Sequence, residues 1–85
     1  MKIFGEVQRV NFRYCTQGRA EEWGLTGWVR NTEDGAVECE AEGGEEALKE
    51  FLDWAKRGPS WAKVKKVEEK WKNFEGKFKK FEIRF

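Results

Sequence analysis

Gly5-Glu6-Val7-Gln8-Arg9-Val10-Asn11-Phe12-Arg13 is the stretch in which an extended run stops and a helical pattern begins. A strand that feeds straight into a helix leaves several backbone N–H groups unpaired at one point, and a guanidinium there makes that point anion-seeking. The stretch therefore reads as a phosphate pocket. Upstream, Met1, Ile3, Gly5 and Val7 alternate with Lys2, Phe4, Glu6 and Gln8, which predicts a strand over residues 1 to 8 with its apolar parity on odd positions. Downstream, Phe12, Thr16, Ala20 and Trp23 recur on one helical face. They predict a helix from about Phe12 to Trp23, with Asn11 as N-cap and Gly24 as its stop. Gly18 within it weakens the helix by about 1 kcal/mol relative to Ala.

Working outward, Leu25 to Asn31 is extended and ends at Thr32-Glu33-Asp34-Gly35, whose Asp-Gly pair is a hairpin signal. In Ala36 to Glu42 the residues Val37, Cys39 and Ala41 face one way and Glu38, Glu40 and Glu42 the other, so residues 26 to 42 predict a hairpin with a solvated outer face. Gly43-Gly44 breaks the second strand. Glu45-Glu46 suits a helix start, and Ala47, Leu48, Phe51, Leu52 and Ala55 form an apolar stripe ending in Lys56-Arg57-Gly58-Pro59. Val64, Val67 and Trp71 predict a fourth strand whose parity slips at Lys65-Lys66, as a bulge produces. Asn73 to Gly76 reads as a turn, and Phe81, Ile83 and Phe85 alternate with Lys80, Glu82 and Arg84 in a last short strand.

The order β-α-β-β-α-β with an added terminal strand predicts an α+β, ferredoxin-like two-layer sandwich, both helices on one face of a mostly antiparallel sheet. The open face is expected to be wet, with Glu38, Glu40 and Glu42 pairing laterally with Lys66, Lys70, Lys80 and Arg84.

Eighty-five residues leave room for one domain, 1–85, and seven Phe and five Trp supply enough bulk for a modest core. Seventeen basic against sixteen acidic residues give a net charge of +1, so no global field draws the chain to nucleic acid or an anionic membrane, and any anion site is local. No apolar run approaches a transmembrane helix and Met1 to Gly5 lacks the apolar core of a signal peptide, which predicts a cytoplasmic protein. Cys15 and Cys39 lack zinc-site spacing, and a chain without histidine has no Cys-His nucleophile. Two buried, reduced thiols are expected. A disulfide between them stays open, because sequence does not fix their separation.

At this point the residues carry a resemblance. Ile3-Phe4-Gly5-Glu6-Val7-Gln8 followed by Val10-Asn11-Phe12-Arg13 resembles the first acylphosphatase signature, which has Gly where this chain has Arg9. Gly27-Trp28-Val29-Arg30-Asn31, with Gly35, Val37 and Gly43, resembles the second without departure. The resemblance spans nearly the whole chain and implies an enzyme that hydrolyses acyl phosphates to carboxylate and inorganic phosphate. By it, Arg13 corresponds to the phosphate-binding arginine and Asn31 to the catalytic asparagine that positions the attacking water. Gln8, Arg9, Val10, Asn11, Phe12 and Arg13 would form the phosphate cradle.

The residues themselves bear on these roles. An arginine in a helix's first turn is electrostatically misplaced unless an anion sits there, though an ordinary exposed arginine is the plainer reading of Arg13. Asn31 reads equally as a turn residue, but it shares the parity of Val29 and so points toward the helix-covered side. At Arg9 three outcomes are open: an unchanged loop, a strained and weaker loop, or a second cation near the phosphate. The first and third are preferred, because the side chain can point outward and its charge helps an anion site. Trp28, on the open face with Arg30, covers bare sheet or serves as a stacking platform for RNA bases. Trp54 and Trp61 read as packing residues around the second helix. Glu33, Asp34, Glu38, Glu40, Glu42, Glu45 and Glu46 form no acid–base pair.

The implied reaction needs no general acid, since carboxylate is a good leaving group, and it calls on no metal or organic cofactor. The partners expected are an acyl phosphate and inorganic phosphate, with no nucleic acid and no membrane, and the chain is expected to be a monomer. Two other readings remain: a phosphate-binding module without catalysis, and an RNA- or protein-binding ferredoxin-like domain that uses the open sheet.

Overall fold

The computed structural model describes residues 1–8, 11–60, 62–71 and 76–84. Along the chain run β1 (Lys2–Glu6), α1 (Phe12–Glu22), β2 (Thr26–Asn31), β3 (Val37–Glu42), α2 (Glu45–Arg57), β4 (Lys63–Glu68) and β5 (Phe81–Arg84). The strands form one sheet in the order β4-β1-β3-β2-β5. Every neighbouring pair is antiparallel except β2 with β5, which run parallel. Two helices on a mixed five-stranded sheet is the expected ferredoxin-like sandwich with its extra strand.

Strand parity puts Ile3, Val29, Val37, Cys39 and Phe81 on the covered face, each 3 % exposed or less. Phe12, Thr16 and Ala20 of α1 and Phe51, Trp54 and Ala55 of α2 close over them. The aromatic rings interlock: Phe51 stacks on Trp54 and meets Phe81 edge-on, and Trp54 lies 5.6 Å from Phe12. Burying such rings contributes about 1.5–3 kcal/mol each. Thr16 is tolerated in this core because its hydroxyl donates to the Phe12 carbonyl at 2.8 Å.

Two motif glycines are explained by crowding between strands. At Gly5 (φ +134°) a Cβ would stand 2.0 Å from the Lys63 carbonyl oxygen, and at Gly27 (φ +148°) 1.8 Å from that of Glu40. No L side chain fits there without moving a neighbouring backbone. The β1–β4 register shifts between Phe4 and Gly5, with Phe4 opposite Lys66 and Gly5 opposite Val64, so the bulge foreseen at Lys65-Lys66 falls on Lys65.

Several expectations are corrected. Glu42 is not on the wet face: it is 8 % exposed, and its carboxylate accepts hydrogen bonds from the backbone N–H groups of Gly76, Lys77 and Phe78 at 3.1–3.4 Å. A strand's last residue escapes the alternation when a returning segment covers it. Trp71, Lys70 and Lys80 lie beyond the strand ends, and Trp71 is half exposed. On the open face Glu38 pairs with Arg30 at 2.6 Å and Glu40 with Lys77 at 3.0 Å, not with the lysines expected. Register sets Glu68, Lys2, Glu38, Arg30 and Arg84 side by side across all five strands, a lateral charge row that ends in two arginines. The guanidiniums of Arg30 and Arg84 lie 5.5 and 4.9 Å from the Trp28 ring, so cations cover that indole. Trp54 packs in the core as expected. The readings of Trp61, of Asn73 to Glu75 and of Phe85 fall outside the described residues.

Both cysteines are free. Cys39 is buried, which pushes its thiol up to about 12, whereas Cys15 is only half-buried.

Candidate active site

β1 ends at Glu6, and Val7, 1 % exposed, continues its inward parity into the core. Gln8 follows, half-buried, and its side-chain amide donates to two carbonyls at once, Thr32 and Ala36, each at 2.8 Å. These carbonyls flank the turn that begins immediately after Asn31. One side chain thus fastens the segment leading into α1 to the end of β2, about 24 residues further along the chain.

Arg9 and Val10 lie outside the described residues. Asn11 occupies the N-cap position, but its side chain makes no capping hydrogen bond, contrary to the role its residue type suggested. The reason is its backbone. At φ 58° and ψ 25° it is left-handed, whereas a capping residue is ordinarily extended, and it is the single non-glycine with positive φ among the described residues. Asparagine tolerates this region better than most residues. A left-handed residue followed by a helical one turns successive N–H groups toward a common centre, the concavity in which anions bind. Here the groups are those of Asn11, Phe12 and Arg13.

Phe12 serves this corner from below. Its ring is 1 % exposed, packed on Trp54 and close under Gly58, so the first residue of α1 is pinned in the core while its N–H faces the helix start. Arg13 follows as the second helical residue and is half-buried. α1 carries no acidic residue in its first turn, so nothing within the helix neutralises the positive end of its dipole.

Asn31 is the last residue of β2, paired with Val37 of β3, and half-buried. Val29 on the same parity is fully buried, and α1 packs on β2, so Asn31 points to the helix-covered side as its parity foretold. Its side-chain amide makes no hydrogen bond to a described residue. The next residues behave differently. Thr32 N–H donates to the Ala36 carbonyl at 2.9 Å and Gly35 N–H to the Thr32 carbonyl at 3.3 Å, with Gly35 at φ +87° closing a three-residue hairpin loop. The Thr32 hydroxyl donates to Asp34, whose carboxylate also takes a 2.9 Å bond from the Lys2 ammonium. The hydroxyl and then the ammonium hold the Asp34 carboxyl down at about 2.

The pair of hydrogen bonds from Gln8 is the feature that sequence reading missed. Gln8 was expected in the cradle, but nothing in a run of nine residues indicates that its amide reaches the turn after Asn31. The signal available was indirect: a glutamine at a strand end with inward-tending neighbours needs partners for its amide.

Known proteins resemble this chain in sequence and in fold. The family model described as Acylphosphatase matches residues 1–83. An acylphosphatase of Synechococcus sp. (strain CC9311) is 55 % identical over 65 residues, 76 % of this chain and 72 % of that protein. The crystal structure of acylphosphatase from Bacillus subtilis superposes with a TM-score of 0.94 at 37 % identity, covering 99 % of this chain and 93 % of that one. An acylphosphatase structure from Coxiella burnetii gives 0.91 at 35 % identity, covering 98 % and 86 %.

Proposed function

This chain belongs to the acylphosphatase family, hydrolases that act on acyl phosphates, and on that premise we propose that Arg13 and Asn31 divide the reaction between them. The observation that carries the reading is the Gln8 bridge, which joins the approach to Arg13 and the turn after Asn31 through one pair of hydrogen bonds.

In this reading the phosphoryl group sits at the start of α1. Its oxygens take hydrogen bonds from the Arg13 guanidinium, a planar fork suited to phosphate, and from the converging N–H groups of the turn. Gln8 has committed its amide to Thr32 and Ala36, so what it brings to the cradle is its main chain and its hold on the turn. Arg9 and Val10 stand between Gln8 and Asn11 in sequence, and whether Arg9 helps or hinders the anion is what Arg9→Gly tests. Asn31, whose amide is not engaged by its own turn, orients a water for attack on phosphorus in line with the departing carboxylate. Electrons of the breaking P–O bond leave on the carboxylate, which needs no proton, and the proton of the water passes to the phosphate. Positioning and charge stabilisation suffice for such a loose phosphoryl transfer, so the reaction draws on no histidine, metal or organic cofactor.

The substrate is a small acyl phosphate and inorganic phosphate is a product. We further infer a monomeric, cytoplasmic enzyme that binds neither nucleic acid nor membrane. The net charge of +1 and the internally paired open face favour this, and among the described residues no helix is long and apolar enough to cross a membrane.

The test is hydrolysis of benzoyl phosphate by the purified, metal-free chain beside Asn31→Ala. Turnover that falls about 10²-fold in the variant supports the assignment. A folded protein that binds phosphate without turnover would make it a binding module, with Arg9→Gly the next variant to assay.

A further inference from the structure

The assignment of Arg13 and Asn31 has a geometric corollary for the other end of the substrate. In-line displacement puts the attacking water on one side of phosphorus and the leaving carboxylate on the opposite side. Asn31 belongs to β2, in the sheet beneath α1, so the acyl group departs on the side away from the sheet. Helical rotation of about 100° per residue sets position 14 about 200° round from Phe12. Phe12, Thr16 and Ala20 face the core, and residue 14 therefore faces outward over the same helix start. That residue is Tyr14, 56 % exposed, which with Trp71 is one of two exposed large hydrophobic side chains among the described residues.

Among the described residues, few groups engage the ring. Tyr14 makes no hydrogen bond or aromatic contact among the described residues. Its neighbour one turn on, Gly18, has no side chain to cover it and open space around it. Gln17, the neighbour at the third position, turns its amide to the Phe81 carbonyl at 3.2 Å. Side chains on a helix lean toward its N-terminus, so the ring overhangs the first turn, where the phosphoryl group is held.

We propose that Tyr14 is a specificity-determining residue whose ring receives the acyl group of the substrate and favours aromatic acyl phosphates over small aliphatic ones. The inference rests on the assignment of Arg13 and Asn31 given above. The ring touches a part of the substrate that does not react and binds ground and transition states alike, so its contribution falls on KM and not on kcat.

The experiment measures kcat and KM of the parent, Tyr14→Ala and Tyr14→Phe on benzoyl phosphate and acetyl phosphate, with inhibition by inorganic phosphate alongside. Tyr14→Ala is expected to raise KM for benzoyl phosphate about fivefold, the scale of one aromatic contact. KM for acetyl phosphate, both kcat values and the phosphate inhibition constant are expected to stay within about twofold, a range too small for a lost contact. Tyr14→Phe should keep the parental preference. An unchanged benzoyl-to-acetyl KM ratio in Tyr14→Ala overturns this inference alone. A parent that hydrolyses neither substrate overturns the catalytic assignment and this inference with it.

Discussion

The two turns that meet at the candidate site are built in opposite ways. The turn from β2 to β3 spends nearly all its polar groups internally: Thr32 and Ala36 exchange bonds, Thr32 and Lys2 hold Asp34, and Gln8 caps both outer carbonyls. The corner that opens α1 does the reverse. Asn11 is left-handed, gives no side-chain cap, and leads into a helix start without an acidic neighbour. A saturated turn is stiff and holds what precedes it, here Asn31. An under-capped helix start keeps donors in reserve for a ligand. The site thus combines a fixed side with a receptive one, which suits a reaction that depends on placing water against a bound phosphoryl group.

Removing the receptive side should have the largest effect. Arg13→Ala is expected to lose about 10³-fold in kcat/KM for benzoyl phosphate, and phosphate inhibition should be lost with it. Asn31→Ala is expected to lower kcat about 10²-fold while the phosphate inhibition constant changes little, since the asparagine acts on water. If the two variants lost rate and phosphate affinity in equal proportion, the division of labour between the turns would be wrong.

The fixed side should show itself in stability as well as rate. Gln8→Ala leaves the Thr32 and Ala36 carbonyls without their side-chain donor and is expected to cost about 2 kcal/mol in urea unfolding. Its kcat should fall as Asn31 loosens, with phosphate inhibition nearly kept. A contrasting pair probes the receptive corner. Asn11→Gly suits a left-handed residue and should unfold within about 0.5 kcal/mol of the parent, whereas Asn11→Val should cost about 1–2 kcal/mol. Equal stability of the two variants would show that the corner does not depend on its handedness.

Much of this was legible in the sequence because it is repeated at several levels. Alternation in β1 and β3 and the stripes of α1 and α2 each report burial on one face. The bulge at Lys65 was visible as a slip of parity. What stayed hidden depends on contacts between distant segments. Glu42 looked like one more outward glutamate because the segment that buries it arrives 34 residues later. Arg30 stands opposite Glu38 across the hairpin, but the partner of Glu40, Lys77, comes from the segment before β5, which local pattern does not place. In the candidate site, Arg13 and Asn31 were singled out by the motifs they resemble and Asn31's side of the sheet by parity, but the handedness of Asn11 and the paired hydrogen bonds of Gln8 were not, because neither residue type dictates its conformation.

The smallest effect expected comes from the outer rim of the saturated turn and appears only in acid. The Asp34 carboxyl titrates at about 2 in the folded chain, below its ordinary 3.8, because the Thr32 hydroxyl and the Lys2 ammonium favour its charged form. A carboxyl whose folded value is depressed contributes stability that is fully present above its unfolded value and is lost as pH falls through the folded one. The contribution of Asp34 is therefore complete above about pH 4 and gone below about pH 2. Asp34 is exposed, so solvent screens the pairing and the effect is small. Urea unfolding of the parent and Asp34→Asn at successive pH values checks it. The stability difference between the two should be constant from pH 7 to about pH 4 and shrink between about pH 4 and pH 2. A difference that did not change across that window would mean that the carboxylate is no part of what keeps the turn after Asn31 closed. The stiffness of the fixed side would then rest on Gln8 and the backbone bonds of the loop alone.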